Sequence, residues 1–432
     1  MMKQYDSYKD SGVEWIGKIP SHWRVCRFKD FASLQTDASD DDNKIGLENI
    51  EGKTGRFIET STEFEGNGTA FHEGDIVYGK LRPYLQKVWL ATFDGNAVGD
   101  FFVFRAKENC RNRLLFYIMI SDGFTCMCNG ATFGAKMPRV SSDFIRGMHF
   151  YLPPIIEQDA IINYLDAKCG KIDKAIATQE KRVELLKELR QNIITQAVTR
   201  GINPDAHLKD SGVEWIGEVP GHWEVCRIKN VLKQGADSIK IGPFGSSLTG
   251  KVGADLEYKV YGQWNIVGAD FNAGTNTVNK ETFDELSKSY KVISGDILVS
   301  MMGTIGKCAV IPEGIQEGIM DSHVVKIRLN DSIMIGSYFE YIYDKDKSNV
   351  IFNQLQKMKG GSIMDGLNST IIKSLTILVP PLSEQQEIVS YIESQTARLD
   401  KSIEKAEHQI ELLQELKQSI ITEVVTGKRK VD

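Results

Sequence analysis

The sequence predicts a mixed α+β protein. Two globular α/β domains are separated by a pair of long antiparallel coiled-coil helices, related by a pseudo-two-fold internal repeat. Three observations predict this. The stretch 152–200 recurs at 379–427 with a constant offset of 227 (Glu157/Glu384, Tyr164/Tyr391, Asp173/Asp400, Leu186/Leu413). Residues 9–30 recur at 209–230 with an offset of 200, and 16 of the 22 positions are identical. The regions in between share little, and the second is longer by 227 − 200 = 27 residues. A repeated frame around unlike regions is one scaffold used twice to present two surfaces. The expected boundaries are 1–151 for the first domain, 152–200 for the first helix, 201–378 for the second domain and 379–432 for the second helix and tail.

The helices are read from their apolar spacing. Ile172, Ile176, Val183, Leu186 and Ile193 form one seam, and Leu399, Ile403, Ile410, Leu413 and Ile420 the other. The steps of three and four residues are the a/d pattern of a coiled coil. Matched seams in one chain most simply bury against each other. Two unrelated amphipathic helices would not need to match so closely. Gln179, Arg190 and Lys417 also fall on the seams, where polar residues cost stability and can fix register. Leu185, Leu189, Leu412 and Leu416 are expected to widen the apolar stripe. Antiparallel pairing would return the C-terminal segment to the N-terminal motif.

The front motif mixes apolar Trp15, Ile16, Trp23 and Val25 with turn-forming Gly17 and Pro20. It reads as a packing anchor, with His22 and His222 as parts of it rather than metal ligands. Each region that follows reads as mixed α/β. Gly-Asp precedes a short β-branched run at Asp75 and at Asp296, a turn followed by a strand. Further strands are expected at 101–104 and 323–329, and helices at 113–121 and 335–343. Glycine-rich loops follow at 130–139 and 360–366. Last strands at 148–152 and 375–379 lead into the Pro-Pro pairs.

Composition narrows the function. The chain has 432 residues, 41% hydrophobic and 25% charged, which is ordinary for a globular protein. No run is apolar enough for a membrane span, and the start lacks the apolar core of a signal peptide. The seven cysteines are scattered, with Cys126 and Cys128 a lone pair, so reduced thiols and a cytoplasmic location are expected and a zinc site is not. Net charge is −6. Residues 32–151 hold 13 Lys+Arg against 16 Asp+Glu, and residues 232–378 hold 15 against 16. Neither region has the basic excess of a self-sufficient DNA binder, so DNA contact must rest on local patches or on a basic partner.

Catalytic motifs are missing. Gly303-Thr-Ile-Gly-Lys-Cys lacks the spacing and final hydroxyl of a phosphate-binding loop. The Pro-Pro pairs lack the polar residue and trailing aromatic of an amino-methyltransferase loop. No nucleophile elbow, zinc-protease helix or nuclease-like acidic cluster is found.

Candidate DNA contacts are local. Lys80, Arg82 and Lys87 surround Tyr84, and Lys136 and Arg139 sit in the first glycine-rich loop. In the second region Lys240 leads into a turn with Phe244, Ser246 and Ser247, and Lys357, Lys359 and Ser362 flank the second glycine-rich loop. Cations neutralise phosphates or reach guanine edges, and hydroxyls reach either. Taken singly, each reads as well as a solvated loop charge. Together, loops on a rigid scaffold are where recognition sits.

The whole chain resembles the specificity subunits of type I restriction–modification enzymes. The resemblance rests on the two SGVEWIG…HW segments, the Gly-Asp-Ile-Leu strand with its Gly-x-x-Gly-Lys sequel, and PPLSEQQEIVSYI before the helix. It implies a non-catalytic subunit whose two target-recognition domains each read one half of a split, asymmetric site in double-stranded DNA. It implies helices that dock two methyltransferase subunits, with motor–nuclease subunits joining for restriction. S-adenosylmethionine, ATP and magnesium would belong to those partners. No membrane is involved. One departure is that the Gly303–Lys307 pattern is replaced in the first half by Gly79-Lys-Leu-Arg-Pro-Tyr. A coiled-coil adaptor whose variable regions bind protein is the alternative. The roughly 30 seam residues from Lys171 to Arg200 span about 45 Å. That matches roughly 13 base pairs, so the helices are expected to act as a ruler.

Overall fold

The computed structural model describes residues 4–431 except 14–15, 40, 135, 236 and 359–366, with the backbone alone at 245–246. Trp15, Lys359, Ser362 and the Ser246 side chain therefore lie outside the described residues. The first long helix is Ile155–Arg200 and the second Leu382–Val425, of 46 and 44 residues. Pro153–Pro154 and Pro380–Pro381 stand where the missing N–H groups cost a helix least, around its start.

The chain divides into two compact units. Unit 1 is Met1–Lys181 with Ala406–Asp432, and unit 2 is Arg182–Lys405. Each holds a front motif, a variable region and a segment of each long helix.

In unit 1 a four-stranded antiparallel sheet has the order Ala32–Gln35, Phe101–Ala106, Ile76–Gly79, Val88–Leu90. A second sheet runs Ala38–Ser39, Gly68–Phe71, Gly95–Ala97, Lys44–Ile45, with the last pair parallel. The core beneath the first sheet is aromatic, with Phe28, Phe31, Phe104, Phe124 and Phe150 in mutual ring contact. A smaller core joins Phe71, Val77 and Trp89.

Unit 2 repeats the plan. Its first sheet has the order Ile239–Ile241, Val324–Ile327, Ile297–Ser300, Cys308–Val310, again antiparallel throughout. Its second sheet pairs Tyr258–Tyr261 in parallel with Gly318–Met320, as Lys44–Ile45 pairs with Gly95–Ala97. The expected strands after the two Gly-Asp turns and the helices Asn112–Ile120 and Gly336–Tyr343 are all present.

The Gly-Asp turns have a structural reason. Asp75 accepts the His72 N–H and both arms of Arg105, at 2.7 and 2.8 Å. Asp296 accepts the Ile293 N–H and Arg328 at 2.7 Å. Each buried carboxylate thus closes its turn and ties it to a neighbouring strand. Buried charges persist when paired and hydrogen-bonded in this way.

The front motif is fastened to the start of a long helix. In unit 1 Glu157 accepts from Trp23 Nε1 at 3.0 Å and lies 2.7 Å from His22 Nε2. In unit 2 Glu384 does the same with Trp223 and His222, at 3.0 and 2.7 Å. The adjacent glutamine holds the other side. Gln158 bonds Asn109, Pro153 and Arg111 backbone groups, and Gln385 bonds Ile333, Pro380 and Ile335. Strands Arg24–Arg27 and His149–Leu152 pair in unit 1, as Glu224–Arg227 and Thr376–Val379 do in unit 2.

Within each unit the two helix segments run in opposite directions. In unit 1 Lys417 bonds Asp173 and Arg429 bonds Tyr164. In unit 2 Arg190 pairs with Asp400, while Gly201 lies against Glu384. The C-terminal segment lies on the front motif of unit 1. Gly427 adopts φ +69°, and a β-carbon there would sit 2.4 Å from Pro20, so a side chain would push the chain off.

The helix seams need two corrections. Ile172, Ile176, Val183, Ile403 and Ile420 are buried, but Leu186, Ile193, Leu399, Ile410 and Leu413 are half-buried. Ile194, Val198, Ile421 and Val425 are buried more completely. A coiled-coil seam alone does not describe helices that also pack on a domain, which widens the buried stripe. Leu185, Leu189, Leu412 and Leu416 do not extend it; all four stay about half exposed. Among the described residues, no helix is long and apolar enough to cross a membrane.

Candidate nucleic-acid interface

In unit 1, residues 80–87 connect the Ile76–Gly79 and Val88–Leu90 strands. Pro83 starts a single 3-10 turn, and Arg82 and Gln86 flank it in the left-handed conformation, at φ +50° and +49°. Such strained positions persist only where the surroundings impose them, and they cluster at functional sites. A second loop, 131–140, is bonded to the first. The Arg82 N–H donates to the Pro138 carbonyl at 2.8 Å, and Val140 N–H to Lys80 at 3.2 Å. Phe133 and Arg139 exchange backbone hydrogen bonds at 3.0 Å and close the second loop into a hairpin.

The two loops therefore form one surface. Arg82, Tyr84, Leu85, Phe133, Lys136 and Met137 are exposed on it, Phe133 by 61%. Asp100 organises the cations behind. Arg139 forks onto it at 3.0 and 2.9 Å, and Lys80 lies 3.8 Å away and over the Phe102 ring. The Arg139 fork holds the Asp100 carboxyl below the usual carboxylate range. Cations beside flat and flexible apolar side chains suit a polyanion with stacked bases.

Lys87 is a correction. Its ammonium donates to the Leu47 and Ile50 carbonyls at 2.6 and 2.8 Å, and burial lowers its pKa. It braces a loop and does not face outward with Arg82. Lys307, one residue before the matching strand of unit 2, is likewise held by Asp344 and Asp346.

In unit 2 the equivalent connection is 301–307. The Met301 N–H donates to the His323 carbonyl at 3.0 Å, and Gln263 donates to Thr304 at 2.6 Å. The Gly242 N–H donates to Val324 at 3.0 Å. These bonds join three loops and the start of the helix Gln263–Gly268 into one edge that exposes Phe244, Trp264, Met302 and His323. Ser247 lies half-buried in the one-turn helix Gly245–Leu248, its N–H on the Phe244 carbonyl. Two predicted cations are placed elsewhere. Lys240 lies against the Tyr290 ring at 5.9 Å. Lys357 pairs with Glu214 at 3.1 Å and covers the Trp215 ring, so it belongs with the front motif.

Sequence reasoning missed Phe133, Met137, Trp264 and Met302. A search for cations overlooks them, although Phe133 and Met137 share a loop with Lys136. For Phe133 and Met302 the signal was an apolar residue beside a glycine, Gly134 and Gly303.

Residues 222–412 match the model of the type I restriction modification DNA specificity domain. The chain is 22% identical over 435 residues to the type I restriction enzyme MjaVIII specificity subunit of Methanocaldococcus jannaschii, covering 96% of this chain and 94% of that one. Over nearly its whole length the chain is thus similar to a type I restriction enzyme specificity subunit. Over 219 residues it is 30% identical to the EcoDI specificity subunit of Escherichia coli, covering 46% of this chain and 48% of that one. Its fold matches a chain solved for complex assembly and conformational transition of the type I R-M system, with a TM-score of 0.67, 18% identity, and 94% and 98% coverage. The Trp–Glu and Asp–Arg contacts recur in both units as a common frame, and the loop edges on that frame differ.

Proposed function

We propose that the chain is the specificity subunit of a type I restriction–modification enzyme and that each of its units reads one half of a bipartite, asymmetric site in double-stranded DNA. The observation that carries the proposal is the contrast between frame and edge. The frame contacts of Glu157 and Glu384 recur to within 0.1 Å while the connection between the same two strands presents Arg82 and Tyr84 in unit 1 and Met302 in unit 2. Different exposed residues on one frame give different base preferences. The long helices set the unread spacer and dock two methyltransferase subunits, and motor–nuclease subunits join for restriction. Those partners carry S-adenosylmethionine, ATP and magnesium and contribute much of the phosphate contact, which suits a chain of net charge −6. The complex works in the cytoplasm.

The test is to express the subunit with its methyltransferase partner and sequence the methylated DNA. A split asymmetric motif is expected. Exchanging residues 232–378 for the matching region of a relative should alter one half of that motif. A change in both halves, or in neither, would overturn the two-reader proposal. Absence of any sequence-specific methylation, with a captured protein partner instead, would favour the adaptor.

A further inference from the structure

Phe244 is the most exposed aromatic side chain among the described residues, at 85%. Its backbone is anchored on both sides. Pro243 before it is buried, and Leu248 after it is anchored in the small core with Val278 and Phe283. The chain enters this turn at Gly242, where a β-carbon would stand 1.7 Å from the Asp321 carbonyl. Only glycine fits, so the approach of the turn to the 321–323 loop is fixed. The Ser247 N–H then closes the turn on the Phe244 carbonyl at 2.8 Å. The backbone that carries Phe244 is thus held on both sides, with the ring on its exposed face.

Its surroundings are those of a reading edge rather than a stray apolar spot. Trp264, in the first turn of the helix Gln263–Gly268, and Met302, 54% exposed on the 301–307 connection, lie on segments hydrogen-bonded into the same edge. The lysine of the 301–307 connection is turned inward onto Asp344 and Asp346. Unit 1 also exposes rings and a thioether, in Tyr84, Phe133 and Met137, but sets Arg82 and Lys136 among them. An apolar wedge that partly unstacks a base step is a known physical route to DNA bending. It reads how easily a step deforms, through stacking rather than hydrogen bonds.

We propose that Phe244 of unit 2 is a wedge that inserts at a base-pair step of its half-site, bending the DNA and selecting for a deformable step. The inference rests on the reading that unit 2 binds DNA. The experiment uses the complete complex with its methyltransferase subunits and the site found by methylation sequencing. 2-Aminopurine is placed in turn at each purine of the unit 2 half-site, away from the methylated base, and donor and acceptor dyes on the duplex ends report bending. With the parent protein, binding should raise fluorescence at one step and shorten the end-to-end distance. Phe244→Ala should abolish both signals and weaken binding about tenfold, the loss expected for one aromatic–base stack. That loss should not vary with salt, while Phe244→Trp should retain the signals. Tight, sequence-specific binding with no fluorescence change at any step, or an Ala variant that bends DNA equally, would overturn the wedge and leave the reading intact. Binding by the parent complex that ignores this half of the site would overturn both.

Discussion

Lys417 donates to Asp173 at 2.7 Å inside unit 1, and the same pair of repeat positions recurs in unit 2 as Arg190 and Asp400 at 2.9 Å. Asp400 is Asp173 shifted by 227 residues, and Lys417 is Arg190 shifted by the same amount. Each long helix therefore carries one base in its seam and one acid beside it, and each base meets the other helix's acid. A polar pair of this kind costs stability relative to an apolar seam but rewards a single register and direction. Lys417 is 7% exposed, while Asp173 keeps substantial contact with water. Lys417→Met should therefore cost little, about 1 kcal/mol or less, because water can take over Asp173. Lys417→Asp should cost several times more by setting two acids together. The exchange of both residues, Asp173→Lys with Lys417→Asp, should recover most of that loss. Urea unfolding of the three variants checks the order, and an unrecovered double exchange would show that the pair does not set register.

Glu157 and Glu384 hold their front motifs through the same two donors. Glu157→Leu removes the acceptor of Trp23 Nε1, on a side chain that is fully buried. Leaving a buried donor unpaired costs about 1–3 kcal/mol. Hydrogen exchange should speed up across residues 9–30 in that variant and stay slow across 209–230. Glu384→Leu should give the converse pattern. Equal deprotection of both motifs by either variant would show that the clasps are not local.

The Asp100–Arg139 fork gives a pH dependence of known sign. The folded-state pKa of Asp100 is depressed by hydrogen bonding to Arg139, with desolvation opposing it. Its contribution to stability is thus present above the unfolded carboxylate value of about 3.9 and disappears as pH falls through the lower folded value. Asp100→Asn should lower the melting temperature at pH 7 and flatten its decline below pH 4 or so. Parallel melting curves for parent and variant from neutral pH into acid would assign the acid limb to other carboxylates.

Much of the frame was legible because repetition displays it. Matching copies of Glu157, Gln158 and Trp23 mark positions used twice, and the Gly-Asp turns announce their strands by turn chemistry. What the repeat could not give was the partner of each repeated residue. Glu157 contacts His22, which lies 135 positions away in the chain, and no local pattern encodes that distance. The helix seams were read as coiled coil because period alone does not distinguish packing on a helix from packing on a domain. Ile194 and Ile421 gained burial from the domain side, one position off the predicted seam. At the interface, charge was a poor guide. Lys87 and Lys307 look free in sequence and are engaged by carbonyls or carboxylates, because a lysine stem reaches whatever acceptor the fold brings near.

That distinction separates the cations of unit 1 by experiment. Arg82 and Lys136 are exposed on the joined loops. Arg82→Ala or Lys136→Ala should weaken DNA binding by the complete complex. A base contact costs about 1–3 kcal/mol and relaxes the target at one position, whereas a phosphate contact lowers the salt slope by about one. Lys87→Met should leave the salt slope unchanged and lower thermal stability instead, because its two carbonyl acceptors are within the protein. Anisotropy titrations at several salt concentrations read both effects. An unchanged affinity in Arg82→Ala and Lys136→Ala at every salt would return those residues to solvated loop charges.

If the helices set the spacer, its length should follow theirs. Seven residues are one heptad, so a heptad added to each helix keeps the apolar seam in phase. Each helix then lengthens by about 10 Å at about 1.5 Å per residue. DNA rises about 3.4 Å per base pair, so the preferred spacer should grow by up to about three base pairs. The bases read in each half-site should stay the same, because neither loop edge is altered. The insertion belongs where Val183 and Ile403 keep their seam neighbours, with matched residues added to both helices. Methylation sequencing of cells carrying the lengthened subunit gives the spacer directly. A longer gap between identical half-sites supports the ruler. Efficient methylation at the original spacing would show that helix length does not set it.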